Sequence, residues 1–73
     1  MAVKNKLLQI RFRLGYKFQQ DFAKYLELSQ FQYNRYENNV SQPSLETMLK
    51  ICGPDKLNMD PRRLFYIEED IKN

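Results

Sequence analysis

The apolar residues of this 73-residue chain recur at intervals of three and four, the spacing of residues that share one face of a helix. Five short helices are predicted, over about residues 3–14, 19–26, 30–38, 45–52 and 61–65. Glycine and proline fall between them, and no β-hairpin signal interrupts the pattern. The sequence therefore predicts a compact, all-α single domain over residues 1–73.

Capping residues indicate where two of the helices begin, and apolar residues indicate which side of a helix points inward. Ser29 and Gln32 have the spacing of a capping box, in which each side chain satisfies a backbone N–H near the other residue. Asp60 and Pro61 suit the N-cap and the first position of the fifth helix. The residues expected to point inward include Leu7, Ile10, Leu14, Phe22, Leu26, Tyr33, Tyr36, Val40, Leu45, Met48, Leu49 and Cys52.

Polar side chains concentrate on one side of the third predicted helix, in the segment QFQYNRYENN (residues 30–39). At about 100° per residue, this side is formed by Gln30, Phe31, Asn34, Arg35 and Asn38. A helix fits the major groove of DNA, where glutamine and asparagine match the edge of adenine and arginine matches guanine. This pattern predicts a helix that contacts base edges.

The second and third predicted helices are joined only by residues 26–29, which leaves room for a tight turn. Ala23 is small at the place where one helix would cross closely over the other. The two helices therefore have the arrangement of a helix-turn-helix motif.

Charge and composition narrow the function classes. The net charge is +3, and five basic residues precede the first acid, Asp21, whereas residues 68–70 are acidic. A basic N-terminal third attracts polyanions such as nucleic acid, although a merely solvated surface has the same composition.

Catalysis, metal binding and membrane insertion find little support. The chain has no histidine, and its one cysteine, Cys52, lies on an apolar stripe typical of a core. We expect no enzymatic activity, no cofactor and no metal. The sequence has no apolar run long enough for a membrane span and no secretory signal, which favours the cytoplasm.

The chain resembles the phage-repressor, Cro and xenobiotic-response-element-type helix-turn-helix family, which is lambda-repressor-like. The resemblance covers about residues 7–65. Its carriers are IRFRLG (10–15), QQDFAKYLELS (19–29), QFQYNRYENN (30–39), PSLETMLKI (43–51) and LNMDPRRLF (57–65). This resemblance implies a five-helix domain whose second and third helices form the motif.

The resemblance also implies roles for matching positions. Expected base contacts are Gln30, Phe31, Gln32, Asn34 and Arg35. Expected phosphate contacts are Arg11, Lys17, Gln19, Asn38, Asn39 and Ser41. Arg11 and Glu37 match a partly buried ion pair between the first and third helices of relatives. Glu27 stands where the turn usually carries glycine, and Phe18 stands where the second helix usually has a serine or threonine cap.

Several residues keep two interpretations. Phe31 could contact a thymine methyl group or a protein partner, and Gln32 could cap its helix or contact a base. Tyr25 and Tyr66 could belong to the core or to a dimer interface.

The function expected from the resemblance is a transcription regulator, a repressor of the phage or mobile-element kind. It would bind a pseudo-palindromic operator in double-stranded DNA as a homodimer. Residues 1–6 would be a basic arm and residues 66–73 a dimerisation tail, with an interface of Leu64, Phe65, Tyr66 and Ile67. The alternative is a protein-interaction module, such as an antitoxin that uses the same fold to bind a partner protein. The sequence indicates neither the operator nor the regulated genes.

Overall fold

Five helices and a two-stranded sheet make up the computed structural model, which describes residues 2–69. The elements are β1 (Ala2–Asn5), α1 (Leu7–Arg13), α2 (Gln19–Tyr25), α3 (Gln30–Glu37), α4 (Leu45–Ile51), α5 (Pro61–Leu64) and β2 (Phe65–Glu68). The prediction of a predominantly helical domain is confirmed, but the all-α assignment is wrong for residues 2–5 and 65–68, which form strands. No helix within this described part is long and apolar enough to cross a membrane.

The sheet joins the two ends of the described chain. β1 and β2 are antiparallel, with Val3 opposite Ile67 and Asn5 opposite Phe65. The predicted first helix began at about residue 3, but α1 begins only at Leu7. The Asn5 side-chain oxygen accepts the Leu7 N–H at 3.0 Å, so Asn5 separates the strand from the helix.

Aromatic rings pack the centre of the domain between α2 and α3. Phe22 and Tyr33 are fully buried, with ring centroids 5.4 Å apart in an edge-to-face arrangement. Ala23 is also buried, which fits the close approach expected of a small residue between these helices. This packing holds α3 against the body of the molecule by its tyrosine side.

Four residues predicted to be in the core are exposed: Leu14, Val40, Leu45 and Leu49. α1 ends at Arg13 and α3 at Glu37, so Leu14 and Val40 lie beyond the helices whose periodicity had placed them inward. α4 has 7 residues, and the side that faces the core is the one that carries Ile51. Leu45 and Leu49 therefore lie outside the contact between α4 and the core.

α1, α2 and α3 end in the same way, with a left-handed residue and two closing hydrogen bonds. The left-handed residues are Gly15 (φ 86°), Glu27 (φ 61°) and Asn39 (φ 58°). Glu27 thus adopts the left-handed backbone conformation that suits the glycine expected at this turn from the family resemblance. The turn keeps its geometry despite a side chain that disfavours it.

Candidate nucleic-acid interface

α3 begins with half of the expected capping box. The Ser29 hydroxyl oxygen accepts the Gln32 backbone N–H at 3.1 Å. The Gln32 side chain does not reach back to Ser29; its amide donates to the Tyr36 hydroxyl at 2.7 Å. The expectation that Gln32 caps the helix with its side chain is therefore wrong, because a partner one turn further along α3 takes its amide.

One side of α3 is open to solvent over its whole length. Gln30, Phe31, Asn34, Arg35 and Asn38 are all exposed, and Phe31 retains 76% of its accessible surface. The Arg35 guanidinium lies 5.9 Å from the centroid of the Phe31 ring, within cation–π range. The side predicted to be polar is thus uncovered by the described chain and carries one aromatic–cation pair.

A buried ion pair holds α3 at the edge of this open side. Arg11 Nε donates to Glu37 Oε2 at 2.9 Å, and a second guanidinium nitrogen donates to Glu37 Oε1 at 3.1 Å. The remaining Arg11 nitrogen donates to the carbonyl oxygens of Tyr16 and Lys17, at 3.2 and 2.7 Å. Both charged side chains are more than nine-tenths buried. Arg11 therefore ties α1, the loop after it and α3 together, and little of it faces solvent.

The environment of Glu37 keeps its carboxylate charged. Burial raises the pKa of Glu37, but hydrogen bonds from Arg11, Tyr33 and Gln19 outweigh burial, so the pKa lies below its usual value. The Tyr33 hydroxyl donates to the same carboxylate, and burial together with this bond raises the pKa of Tyr33. The pair stays fully ionised near neutral pH.

Gln19 connects this buried pair to the open side of α3. Its side-chain nitrogen donates to Glu37 Oε1 at 3.0 Å, and its oxygen accepts the Asn34 amide at 3.0 Å. Asn34 therefore has its side-chain oxygen available to solvent, as an acceptor. Gln19, expected at a phosphate, is engaged at both ends of its amide by the protein itself.

The other expected phosphate contacts differ in accessibility. Lys17 is exposed, with its ammonium 5.6 Å from the Phe18 ring centroid, and Asn38 is also exposed. Asn39 and Ser41 are half-buried, and the Asn39 side-chain oxygen already accepts two hydrogen bonds.

The residues expected at a dimer interface separate into two pairs. Leu64 and Phe65 are buried in the core of the chain itself, so they are not available to a partner. Tyr66 and Ile67 are exposed on β2. The Tyr25 hydroxyl donates to the Lys56 carbonyl, which accounts for Tyr25 within the chain. Residues 70–73 of the expected dimerisation tail and Met1 of the expected arm lie outside the described residues.

Asn5 and Gln42 form a polar cluster with Asn39 that sequence reasoning missed. The Asn5 amide donates to the Tyr36 carbonyl at 2.7 Å and to Gln42 Oε1 at 2.8 Å. These contacts span more than 30 residues and have no periodic signature. No pattern within one helix could have indicated them.

Residues 2–69 hold no group of three histidine, cysteine, aspartate or glutamate side chains placed to bind a metal ion. Cys52 is buried, and burial together with the nearby Asp60 charge raises its thiol pKa. The geometry of the described part therefore centres on the open side of α3.

A family model described as helix-turn-helix matches residues 11–54, more than half of the chain. The match begins at Arg11 and includes α2, the turn and α3 in full. No curated protein and no solved structure matches the chain.

Proposed function

Because the chain belongs to the lambda-repressor/Cro-like helix-turn-helix family of DNA-binding regulators, we propose that it represses transcription by binding an operator as a homodimer. In this proposal α3 (Gln30–Glu37) enters the major groove of one half-site. The operator is pseudo-palindromic, with half-sites about 34–36 Å apart, because a two-fold dimer presents two copies of α3.

The observation that carries the proposal is the open side of α3. Its side chains are exposed to solvent, although the Asn34 amide nitrogen donates to Gln19, and the buried Arg11–Glu37 pair supports the helix from its edge. A helix supported on one side and open on the other is what docking into a groove about 12 Å wide requires.

Specificity would come from three kinds of contact. Arg35 can donate two hydrogen bonds to guanine, and Gln30 can pair with adenine. Phe31 can contact a thymine methyl group, and its position beneath the Arg35 guanidinium favours a thymine close to that guanine. We therefore propose that each half-site contains a guanine with a thymine within about one or two base steps.

Dimerisation would increase the number of contacts beyond what one small domain offers. The exposed apolar residues Val3 and Ile67 support a partner contact on one face of the sheet, whereas Tyr66 is exposed on the other face. Val3 and Ile67 lie directly opposite each other across the two strands, so they form one patch.

A second candidate function is binding of a protein partner, with the family fold used as a scaffold. The observation in its favour is the pair of leucines exposed one turn apart on α4, Leu45 and Leu49. Apolar side chains of this kind favour protein contact rather than contact with phosphate.

The dependence of DNA affinity on salt separates the two candidates. For a dimer that neutralises about six phosphates, the affinity for a random duplex should fall roughly a thousandfold between about 50 and 200 mM salt. The measurement is a fluorescence-anisotropy titration at four or more salt concentrations. Lys17→Ala should reduce the slope by about two, because it removes one phosphate contact from each protomer of the dimer.

Lys50→Ala is the matched control, since Lys50 is an exposed lysine on α4 that pairs with Glu46 one turn away. Its slope should equal that of the unmodified chain. Absence of any binding at low salt would contradict DNA binding and leave the protein-partner candidate.

A further inference from the structure

β1 is attached to the C-terminal end of α3 by side chains rather than by sheet pairing. Asn5, the last residue of β1, is 5% exposed and lies against the last turn of α3. Its amide nitrogen donates to the Tyr36 carbonyl, which also accepts the Asn39 backbone N–H at the end of the helix. The first strand of the chain thus ends on the helix that is proposed to bind DNA.

Two further amides complete this attachment. The Asn39 side-chain oxygen accepts the Asn5 backbone N–H at 2.9 Å and the Gln42 amide at 2.9 Å. Gln42 Oε1 accepts from the Asn5 amide at 2.8 Å, and the Gln42 nitrogen also donates to the Val3 carbonyl at 3.1 Å. We refer to Asn5, Asn39 and Gln42 as the strand latch.

One residue of the strand latch, Asn39, also closes the C-terminal end of α3. Asn39 is the left-handed residue after α3, and the N–H groups of Asn39 and Val40 close the helix onto Tyr36 and Arg35. Arg35, an expected base contact, therefore accepts through its own carbonyl a bond from the loop that the latch holds. Every buried polar side-chain atom of the described residues has a hydrogen-bond partner, and this includes those of Asn5.

We propose that the strand latch orients α3 relative to the rest of the domain and thereby determines how strongly the protein distinguishes its operator from other DNA. The latch residues are positioning residues, which act through α3 and not by contacting bases. This inference rests on the proposed function. It adds that the small sheet, remote in sequence from the helix-turn-helix, participates in sequence discrimination.

Base discrimination is the property that a positioning residue should affect most. Bidentate contacts between a side chain and a base edge require close geometry, whereas phosphate contacts tolerate a small rotation of the helix. Release of the latch should therefore weaken operator binding more than binding to random DNA. The informative quantity is the ratio of the Kd for random duplex to the Kd for the operator.

Asn39→Gly tests this prediction with little backbone perturbation. Glycine adopts the left-handed conformation of Asn39 without strain, but it lacks the oxygen that accepts from Asn5 and Gln42. The ratio of the two Kd values should fall by roughly three- to tenfold. This change corresponds to the loss of one or two hydrogen bonds between α3 and base edges. The operator is first obtained by selection from random DNA with the unmodified chain.

Asn58→Gly is the matched control, because Asn58 is also left-handed, with φ 50°, and lies in the loop between α4 and α5, away from the latch. It should leave the ratio unchanged. Gln42→Ala provides a second release of the latch from a half-buried loop position, and it should lower the ratio in the same direction. Circular dichroism confirms the fold of each variant before its affinities are compared.

Each remaining outcome overturns a defined claim. If Asn39→Gly and Gln42→Ala weaken both DNAs equally, these residues are phosphate contacts and the latch proposal is wrong. If neither variant changes the affinity for either DNA, the latch proposal is also wrong. If the unmodified chain itself shows no base preference, the proposed function fails first and the latch proposal fails with it.

Discussion

Arg35 is the residue for which the structure allows the most specific expectation about DNA. It is exposed on α3, and its guanidinium lies over Phe31. Arg35→Ala should cost about 1–3 kcal/mol at a single guanine–cytosine pair of the half-site and relax the preference there. Binding to a set of operators with one substituted base pair each would measure this effect.

Arg13→Ala is the matched control, since Arg13 is an exposed arginine at the end of α1 rather than on α3. It should change affinity for all operators to the same small extent. A uniform loss with Arg35→Ala would identify Arg35 as a phosphate contact instead of a base contact.

Glu37 should make the stability of the domain depend on pH in the acidic range. Its folded pKa lies below the ordinary pKa of a glutamate, so the charged carboxylate contributes stability that is fully present above the unfolded pKa. This contribution is lost as pH falls through the folded pKa. Glu37→Gln should lower the free energy of unfolding by roughly 3 kcal/mol at pH 7, because Arg11 stays buried without its counter-charge.

Urea denaturation at pH 7 and at pH 3 would test this expectation. The difference between Glu37→Gln and the unmodified chain should narrow at the lower pH, since only the unmodified chain has a carboxylate to protonate. Glu46→Gln serves as the control, because Glu46 is a highly exposed carboxylate on α4. A constant difference across the pH range would mean that Glu37 is not stabilised by its charge.

At the scale of elements, periodicity predicted the helices well and the strands not at all. The 100° spacing was sufficient to find α2, α3 and the open side of α3, because one helix determines that pattern locally. β1 contains only 4 residues, and it is stabilised by pairing with residues 60 to 66 positions away. A segment so short has no local signature that distinguishes it from the first turn of a helix.

The candidate site divides in the same way. The exposed residues of α3 follow from the helical wheel, and the Arg11–Glu37 pair was expected from the family resemblance. The bonds from Gln19 to Glu37 and Asn34, in contrast, depend on how α2 and α3 cross. Hydrogen bonds between side chains that the fold brings together leave no pattern in the sequence.

The turn between α2 and α3 stores a small amount of backbone strain at Glu27. An L-residue in the left-handed region costs roughly 1–2 kcal/mol, and glycine removes this cost. We therefore expect Glu27→Gly to be more stable than Glu27→Ala by about 1 kcal/mol, as measured by urea denaturation.

Glu27→Gly and Glu27→Ala both lack the Glu27 carboxylate. The ion pair of Glu27 with Lys56, 3.7 Å apart, is therefore absent from both variants. Glu46, an exposed glutamate in the helical backbone of α4, supplies the opposite case, in which glycine should be less stable than alanine. Equal stability of the two Glu27 variants would contradict the strained turn.

At the scale of the whole molecule, the sheet brings the two ends of the described chain together and leaves an apolar patch outside the core. Ile67 keeps 59% of its surface exposed and lies opposite Val3. A second pair of exposed apolar side chains lies on α4, at Leu45 and Leu49. Either patch is accessible to a second copy of the chain. The sheet patch contains Ile67, which belongs to the expected dimerisation tail, residues 66–73.

We expect Ile67→Lys to weaken homodimerisation by tenfold or more, because a charged side chain would then have to be desolvated in the interface. Analytical ultracentrifugation over a range of concentrations would measure the dissociation constant. The same variant should bind a single half-site normally but lose affinity for the full operator, since α3 is untouched and only the second half-site contact is lost.

Leu49→Lys distinguishes the two patches, because it makes the same chemical change at a leucine that is exposed to a similar extent on α4. If the sheet forms the interface, Leu49→Lys leaves the dimer intact. Loss of the dimer with Leu49→Lys and not with Ile67→Lys would place the two-fold axis at α4 instead. The half-site spacing selected from random DNA would then have to suit that axis, because the distance between the two copies of α3 follows from where the protomers meet.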